Sequence, residues 1–328
     1  METGLSSVGS PLMYAGFFAA VLVMVLIDMF ALNRAGNHKV SVREALGWSA
    51  VWFAIAMLFN AWLWWHIRGD VGSGLDEAAR QALANQKALE FMTGYLIEKS
   101  LAVDNIFVFL LLFGFFKVPD IYQRRVLVYG VVGAIIMRAV MIFIGAALVA
   151  KFSWVLYLFG AFLVFTGLKM MLPEKEEQQD LTNNPVLKWL RRHLRVTDEF
   201  HEEKFFIRRN GILWATPLFL VLVMIELTDL VFAVDSIPAI FSVTQDPFIV
   251  MTSNIFAILG LRALYFLLAD VADRFHLLKY GLAAVLTFIG MKMLLLEVFH
   301  MPVAVSLGVV FGLLTASIVA SLLVTRKS

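Results

Sequence analysis

The chain contains no Cys among its 328 residues. Without thiols it can form no disulfide bond, iron–sulfur cluster or thiolate metal site, and cysteine usage gives no information on its redox compartment. Charged residues are also scarce, at 16%, whereas hydrophobic residues make up 61%. Soluble domains typically have about 25% charged and roughly 45–50% apolar residues. The composition therefore predicts a polytopic membrane protein.

Several functional motifs are missing as well. The six His residues lie in loops or at the ends of apolar runs, which leaves no imidazole for a metal or a haem inside the membrane. No Gly-x-x-x-x-Gly-Lys-Ser/Thr phosphate loop occurs, so an ATP-driven pump would need a second subunit. A Gly-x-Gly-Asp motif is also absent, which disfavours an intramembrane aspartyl protease. We expect no enzyme activity, no cofactor and no nucleic-acid partner, and the oligomeric state is left open.

Long apolar runs dominate what is present. A helix needs about 20 mostly apolar residues to cross a bilayer, and such runs occur nine times. We therefore expect an all-α polytopic membrane protein with nine transmembrane helices. The first run is interpreted as a retained span, because it is too long for a signal-peptide core. The predicted spans are 11–32, 45–66, 91–116, 126–150, 154–172, 212–243, 250–269, 277–298 and 302–324.

The basic residues predict the orientation. With the N-terminus outside, 18 of the 27 Lys and Arg residues fall in cytoplasmic segments and only four on the opposite side. The positive-inside rule therefore favours an outside N-terminus and a cytoplasmic C-terminus. Between Pro185 and Val196, the loop 173–211 has the pattern of a basic amphipathic helix, with Leu187, Leu190 and Leu194 on one side. This helix could rest on the cytoplasmic lipid surface or form a solvated linker.

Three sequence landmarks occur twice, in the same order. Each copy covers three predicted spans, and an odd number of crossings means that the second copy enters the membrane from the opposite side. Inverted repeats of this kind are common in secondary transporters, whose substrate site lies between the repeats near the midplane. The landmarks are Glu98–Asn105 and Asp229–Ser236 at an offset of 131, Gly133–Ala139 and Ala257–Ala263, and Phe165–Met170 and Phe288–Met293 at an offset of 123.

The repeat divides the chain into five predicted parts. Pro238 should break the sixth span, because it removes a backbone donor and disfavours helix at the preceding residue. The parts are an N-terminal two-helix segment (1–90), a first three-helix repeat (91–172), a cytoplasmic loop with an amphipathic helix (173–211), a second, inverted three-helix repeat (212–298) and a C-terminal helix (299–328).

Acidic residues inside these spans are the candidate functional groups. A carboxylate at the bilayer centre costs roughly 2.5–3.5 kcal/mol even on lenient insertion scales. Carboxylate, amide and hydroxyl oxygens are ligands for hard divalent cations such as Mn²⁺, Mg²⁺ or Ca²⁺. Carboxylates in a low dielectric also take up protons readily, which suggests exchange of the cation for protons. The predicted metal ligands are Glu98, Asp104, Asn105, Glu226, Asp229, Asp235 and Ser236.

Helical geometry limits how these acids can meet. Glu98 and Asp104 are six residues apart, so they point about 120° away from each other on one helix. A shared ion would need local unwinding or convergence of the two repeats. Asn254 could face the second acidic motif or cap a helix, and Asp28 is interpreted as an interfacial hydrogen-bonding residue.

Basic residues in the spans leave a structural alternative open. Five acids beside five bases could be buried ion pairs that lock the helices together. We expect Arg138 and Arg262 each to pair with an acid, and Lys99 is a third candidate for charge pairing. The basic residues within spans are Lys99, Arg138, Lys169, Arg262 and Lys292.

Three longer motifs resemble the TerC family, and most closely its Alx branch. They are Gly94–Asn105, Glu226–Asp229 and Phe232–Ala239, and the similarity extends from Pro11 to about Leu323. The family is associated with manganese homeostasis and export. The resemblance implies a bacterial inner-membrane exporter with Mn²⁺ as the transported substrate, and it carries over the acids Glu98, Asp104, Glu226, Asp229 and Asp235. The alternatives are a passive channel and a non-transporting stress-response or membrane-protein assembly component.

Overall fold

A computed structural model describes residues 7–33, 41–69, 76–152, 154–171, 185–269, 277–295, 298 and 301–325. Some helical residues within these ranges have no described side chain, among them Asp104 and Asp235. The described part is mainly helical, as the apolar runs predict, and each predicted span overlaps a helix or, for 250–269, a helix pair. The helices are α1 (Pro11–Asn33), α2 (Val42–Gly69), α3 (Glu77–Phe115), α4 (Asp120–Lys151), α5 (Val155–Met171), α6 (Pro185–His193), α7 (Pro217–Phe241), α8 (Pro247–Leu259), α9 (Leu261–Ala269), α10 (Leu278–Leu294) and α11 (Val303–Thr325).

The described helices differ in their ability to cross a membrane. By length and apolarity, α1, α2, α4 and α7 qualify, and α8 with α9 makes a fifth if the bent pair is one span. Shorter apolar helices occur within α5, α10 and α11. The described part of the chain therefore has several membrane-spanning candidates, and the count of nine stays a prediction.

Helix α3 is longer than its apolar run. It begins at Glu77 because the Asp76 side chain accepts a hydrogen bond from the backbone N–H of Ala79 at 2.8 Å, which satisfies a free donor at the helix start. The predicted division at residue 91 therefore falls inside a continuous helix. The uninterrupted helix also excludes local unwinding between Glu98 and Asp104 as the way to bring acids together.

A β-hairpin replaces the predicted start of the sixth span. Strands β1 (Phe206–Arg209) and β2 (Ile212–Ala215) are antiparallel and are joined by Asn210 and Gly211. Both turn residues have positive φ, 52° and 77°, which suits a two-residue hairpin turn. The prediction of helix from residue 212 is wrong, because α7 begins only at Pro217, and the predicted division between 211 and 212 falls in the hairpin turn.

The basic amphipathic helix packs on protein. Helix α6 ends at His193, earlier than the predicted Val196. Leu187 and Leu190 are buried against Leu220 of α7, so their apolar side is not available to lipid. Trp189 of the same helix is exposed, so contact of α6 with the lipid surface or with solvent stays a prediction.

The break in the second repeat lies at Gly260. Helix α7 continues through Pro238 to Phe241, and the N–H of Ser242 donates to the Pro238 carbonyl at 3.1 Å. The predicted break at Pro238 is therefore wrong. Helices α8 and α9 instead meet at Gly260 with a bend of 41°.

Four helix pairs form the centre of the described structure: α3 with α8, α4 with α7, α3 with α7, and α5 with α10. The α5–α10 crossing is the tightest, because small residues let the backbones touch. A Cβ on Gly290 would lie 2.6 Å from the Gly160 carbonyl oxygen, and one on Gly167 would lie 2.7 Å from the Ala283 carbonyl oxygen. Small residues at crossings of this kind are typical of membrane helices.

Gly290→Ala is expected to lower the free energy of unfolding by about 1–3 kcal/mol, because the added methyl group must push two backbones apart. Thermal unfolding in detergent measures the loss. Gly312→Ala in α11 is the matched control, since a Cβ there meets nothing within 4 Å. Equal melting temperatures for the two variants would contradict the prediction.

Candidate ion site

Arg138 lies at the centre of the candidate site. Its side chain is 1% exposed and extends from α4 towards α3 and α7. The guanidinium donates to Glu98 of α3, and its Nη2 donates to Asp229 Oδ1 of α7 at 3.1 Å. A single cation thus joins two buried carboxylates, whose positions correspond at the repeat offset of 131.

Neutral side chains complete the hydrogen bonding of this group. Arg138 also donates to the Ser236 hydroxyl at 3.2 Å. Asn254 donates to Glu98 Oε2 at 3.0 Å, and Asn105 donates to Asp229 Oδ1 at 3.1 Å. Amide, hydroxyl and carboxylate oxygens therefore lie within hydrogen-bond distance of one guanidinium. Asn105 Oδ1 is buried and has no hydrogen-bond partner, so one further oxygen is available to a cation.

These hydrogen-bonded side chains form the Arg138 cluster, which consists of Glu98, Asn105, Arg138, Asp229, Ser236 and Asn254. A cavity adjoins this cluster, between helices of both predicted repeats. Its polar lining comes from the guanidinium and from the Asn105 and Ser236 side chains, and the remaining walls are apolar. The lining residues are Leu101, Asn105, Arg138, Met170, Phe232, Ser236 and Leu286.

Glu226 lies one turn before Asp229 on α7 and is not part of the Arg138 cluster. Its carboxylate packs over Gly133 of α4, where a Cβ would collide with it. The Oε2 atom is buried without a hydrogen-bond partner. Glu226, which was grouped with Glu98 and Asp229 as a predicted ligand, thus makes no hydrogen bond to either in the described structure, although its charge lies close enough to Asp229 for the two carboxylates to repel each other.

Four of the seven predicted ligands come together in the described structure: Glu98, Asn105, Asp229 and Ser236 all contact Arg138 or an acid bound to it. The side chains of Asp104 and Asp235 lie outside the described residues. In the described part of the chain, no group of three or more His, Cys, Asp and Glu residues is arranged to hold a metal ion. The acids are instead paired with a guanidinium.

Other predicted partners have a different arrangement. Asn254 lies inside α8, so the prediction that it caps a helix is wrong, and it contacts Glu98 and Arg138. Lys99 donates to the Ala257 carbonyl at 3.1 Å, rather than to a described carboxylate. Arg262 pairs with Asp28 of α1 at 2.5 Å, and both side chains are largely buried. Asp28 is therefore a charge partner as well as a hydrogen-bonding residue.

The sequence reasoning missed a third polar network, at the start of α8. Glu90 accepts hydrogen bonds from Lys87 Nζ at 2.8 Å and from the Thr244 hydroxyl at 2.6 Å. Asp246 caps α8 and accepts hydrogen bonds from Ser7 and from the backbone N–H of Val8, both at 2.9 Å. These residues lie outside the apolar runs, where charge is usual. The Asp246–Pro247 pair, typical of a helix start, was the available signal.

Comparison with known proteins gives a family match over most of the chain. The profile of the integral membrane protein TerC family matches residues 83–328. The provisionally named membrane-bound redox modulator Alx of Salmonella typhi is 54% identical over 323 residues, 98% of each chain.

Two further bacterial relatives are nearly full-length matches. The protein of the same name from Escherichia coli (strain K12) is 55% identical over 315 residues, 96% of this chain and 95% of its own. An uncharacterized membrane protein of Myxococcus xanthus is 47% identical over 328 residues, 100% of this chain and 97% of its own. No solved structure is significantly similar to the chain.

Proposed function

The chain belongs to the TerC family of integral membrane proteins, and from this premise we propose that it is a secondary transporter that exports Mn²⁺ from a bacterial cytoplasm. The proposed location is the inner membrane, with the N-terminus outside and the C-terminus in the cytoplasm. Its proposed partners are the divalent cation and the lipid bilayer, and it catalyses no chemical reaction. Mn²⁺ as cargo follows from the family resemblance and agrees with an oxygen-only donor set.

The position of Arg138 carries this proposal. Its guanidinium lies between Glu98 and Asp229, where a cation would also be most strongly attracted. An incoming Mn²⁺ can take over the carboxylate oxygens as the guanidinium withdraws. When the ion leaves, Arg138 or protons can neutralise the two acids again, so that no pair of bare carboxylates stays buried. Proton uptake at this step would make the exchange an antiport.

Packing between the proposed inverted repeats supports a two-fold arrangement. Helix α3, the first of the first copy, contacts α8, which follows the first helix of the second copy. In the same way α7, the first helix of the second copy, contacts α4, which is the second helix of the first copy. The α5–α10 crossing has the same reciprocity. Gly160 contacts Gly290 and Gly167 contacts Ala283, and residues 160 and 167 correspond to 283 and 290 at the offset of 123. A two-fold interface has this property, because residue i contacts j′ while j contacts i′.

A non-transporting role in stress response or membrane-protein assembly is the second candidate. One observation favours it: Arg138 already satisfies the two acids, as purely structural ion pairs would. The name of the Alx relatives points to a redox role. This sequence holds no Cys, so any redox effect of this protein would not proceed through its own thiols.

Mn²⁺ uptake into everted membrane vesicles separates the two candidates. Loss of a residue that only supports a metal ligand typically lowers metal affinity or activity roughly 10- to 100-fold. Glu98→Gln and Asp229→Asn should each lower Mn²⁺ uptake per molecule by more than this, because each removes a charged ligand. Asp104→Asn and Asp235→Asn test the two acids whose side chains are not described. Glu202→Gln is the control, since Glu202 pairs only with the exposed Lys204 in the described structure.

The outcomes of this experiment are distinct. Membrane abundance is measured beside transport for every variant. Lost abundance with normal uptake per molecule would support the structural role and contradict transport through these acids. An imposed proton gradient that drives Mn²⁺ accumulation against its own gradient indicates antiport, whereas uptake that only follows the Mn²⁺ gradient indicates a channel.

A further inference from the structure

Lys99 neutralises no described carboxylate, although it follows Glu98 directly in α3. Its Nζ donates to the backbone carbonyl of Ala257 on α8 at 3.1 Å. Ala257 lies in the last turn of α8, where carbonyl groups have no partner within the helix. A cation at a helix C-terminus stabilises these carbonyls by hydrogen bonding and by favourable interaction with the helix dipole. Lys99 therefore caps the broken end of α8.

Adjacent residues of α3 thus hold α8 at two points one turn apart. Glu98 accepts a hydrogen bond from Asn254, and Lys99 donates to Ala257 three residues further along α8. The first contact belongs to the Arg138 cluster, and the second lies next to the bend. Movement of the bend would therefore displace Asn254 relative to Glu98.

Gly260 provides the space for this arrangement. A Cβ at position 260 would collide with Lys99 Nζ and would lie 3.3 Å from the Trp52 Cβ. The chain bends by 41° at this glycine. Any larger residue would displace the ammonium group from the end of α8.

Helix α9 extends from the bend to other parts of the bundle. Its first turn holds Arg262, which pairs with Asp28 of α1. Its Tyr265 hydroxyl donates to Gln123 of α4 at 2.7 Å. These contacts join the bend to helices outside the α3–α8 pair, so α9 can transmit a change between the ion site and the end of the bundle where α4 begins.

We propose that Lys99 is a positioning residue of the ion site, which holds the α8–α9 bend in place so that Asn254 stays on Glu98. The bend is the hinge of the transport cycle, and Lys99 leaves and regains the Ala257 carbonyl as α9 moves. The proposal rests on the proposed transport function. It predicts that Lys99 affects the rate of turnover more than the apparent affinity for Mn²⁺.

Lys99→Met and Lys99→Arg form the first test, in everted vesicles with Mn²⁺. Lys99→Met should lower the maximal uptake rate per molecule about tenfold, the effect of losing one charge-assisted hydrogen bond. Its KM should stay the same or fall, because a positive charge beside the site is gone. Lys99→Arg should recover most of the rate, since a guanidinium can still donate to the carbonyl. Equal defects in both variants, or reduced abundance with a normal rate per molecule, would overturn the proposal.

The second test does not depend on transport. Because the native sequence contains no Cys, Ala263→Cys introduces a single thiol on α9, at a position that is 6% exposed. Labelling with N-ethylmaleimide in Mn²⁺-free membranes should be slow, and about tenfold faster when Lys99→Met releases the bend. Unchanged labelling would overturn the positioning role even if Mn²⁺ uptake is intact. Wild-type vesicles without Mn²⁺ uptake would instead contradict the transport function and leave the labelling result decisive for Lys99.

Gly260→Ala completes the design as a double-mutant cycle with Lys99→Met. Both substitutions remove the same contact, so the labelling rate of the double variant should equal that of the more affected single variant. Additive effects on the logarithm of the rate would mean that Gly260 and Lys99 act independently, which would overturn the proposed hinge contact.

Discussion

Arg138→Met is expected to lower the free energy of unfolding by about 3–5 kcal/mol, because it leaves the buried Glu98 and Asp229 without a cation. Methionine has a similar length and fills the space, so the loss reports on charge rather than on a cavity. Thermal unfolding of the purified protein in detergent, followed by tryptophan fluorescence, measures it. A loss below 1 kcal/mol would mean that the guanidinium is not the main partner of these acids.

Added Mn²⁺ tests whether a divalent cation can replace the guanidinium between Glu98 and Asp229. In Arg138→Met the carboxylates are free for a divalent cation, so Mn²⁺ at 100 times its Kd should restore about 2.7 kcal/mol. Wild-type protein should gain less, since Mn²⁺ must first displace Arg138. Arg138→Lys keeps the charge but cannot contact both acids with a planar fork, so an intermediate stability is expected. No Mn²⁺ effect in any variant would contradict a cation site at these residues.

Asp28→Asn should cost a similar amount, about 3–5 kcal/mol, because Arg262 would keep its charge in a site that is almost closed to water. Arg262 Nη1 already lacks a hydrogen-bond partner, and its two other charged neighbours, Arg124 and Glu44, act on it in opposite directions, so Asp28 is its main compensation among the described residues. Removing both charges in Asp28→Leu/Arg262→Met should recover most of the loss, since a well-packed apolar pair can replace a buried ion pair. Thermal unfolding of Asp28→Leu, of Arg262→Met and of the double variant measures the coupling.

An exposed ion pair provides the control for Asp28→Asn. Glu203→Gln removes the partner of Arg125 at a position where both side chains are 37% exposed. Water screens such a pair, and a change below about 1 kcal/mol is expected. If Asp28→Asn lowers the free energy of unfolding no more than Glu203→Gln does, the Asp28–Arg262 ion pair contributes little to the packing of α1 against α9.

The charge pattern of the sequence predicted that Arg138 pairs with an acid, and its contacts with Glu98 and Asp229 confirm this pairing. An unpaired charge inside a membrane costs free energy, so the sequence predicts that Glu98, Asp229 and Arg138 contact one another or water. The repeat offset identified positions 98 and 229 as equivalent, and equivalent positions of two convergent repeats can meet at one cation. Helical spacing predicts that a straight α3 cannot aim Glu98 and Asp104 at one ion, and α3 is continuous through both positions.

Backbone details were harder to predict from local sequence. The apolar residues of β2 continue directly into those of α7, so the sequence from Ile212 was predicted to be helical. The Asn210-Gly211 pair is nevertheless a strong hairpin signal. Pro238 removes one donor near the end of α7, and only about one further turn of helix follows it. The sequence around Gly260 contains no comparable signal, because the role of this glycine depends on Lys99 of α3. The contact of Lys99 with Ala257 joins residues that are 158 positions apart in the sequence.

The α5–α10 crossing has a consequence for the lipid around the protein. Where the Gly160 and Gly290 backbones touch, no acyl chain can fit between the two helices. Helices α5 and α10 both contribute a residue to the lining of the cavity beside Arg138, so this close crossing closes one side of that cavity to acyl chains.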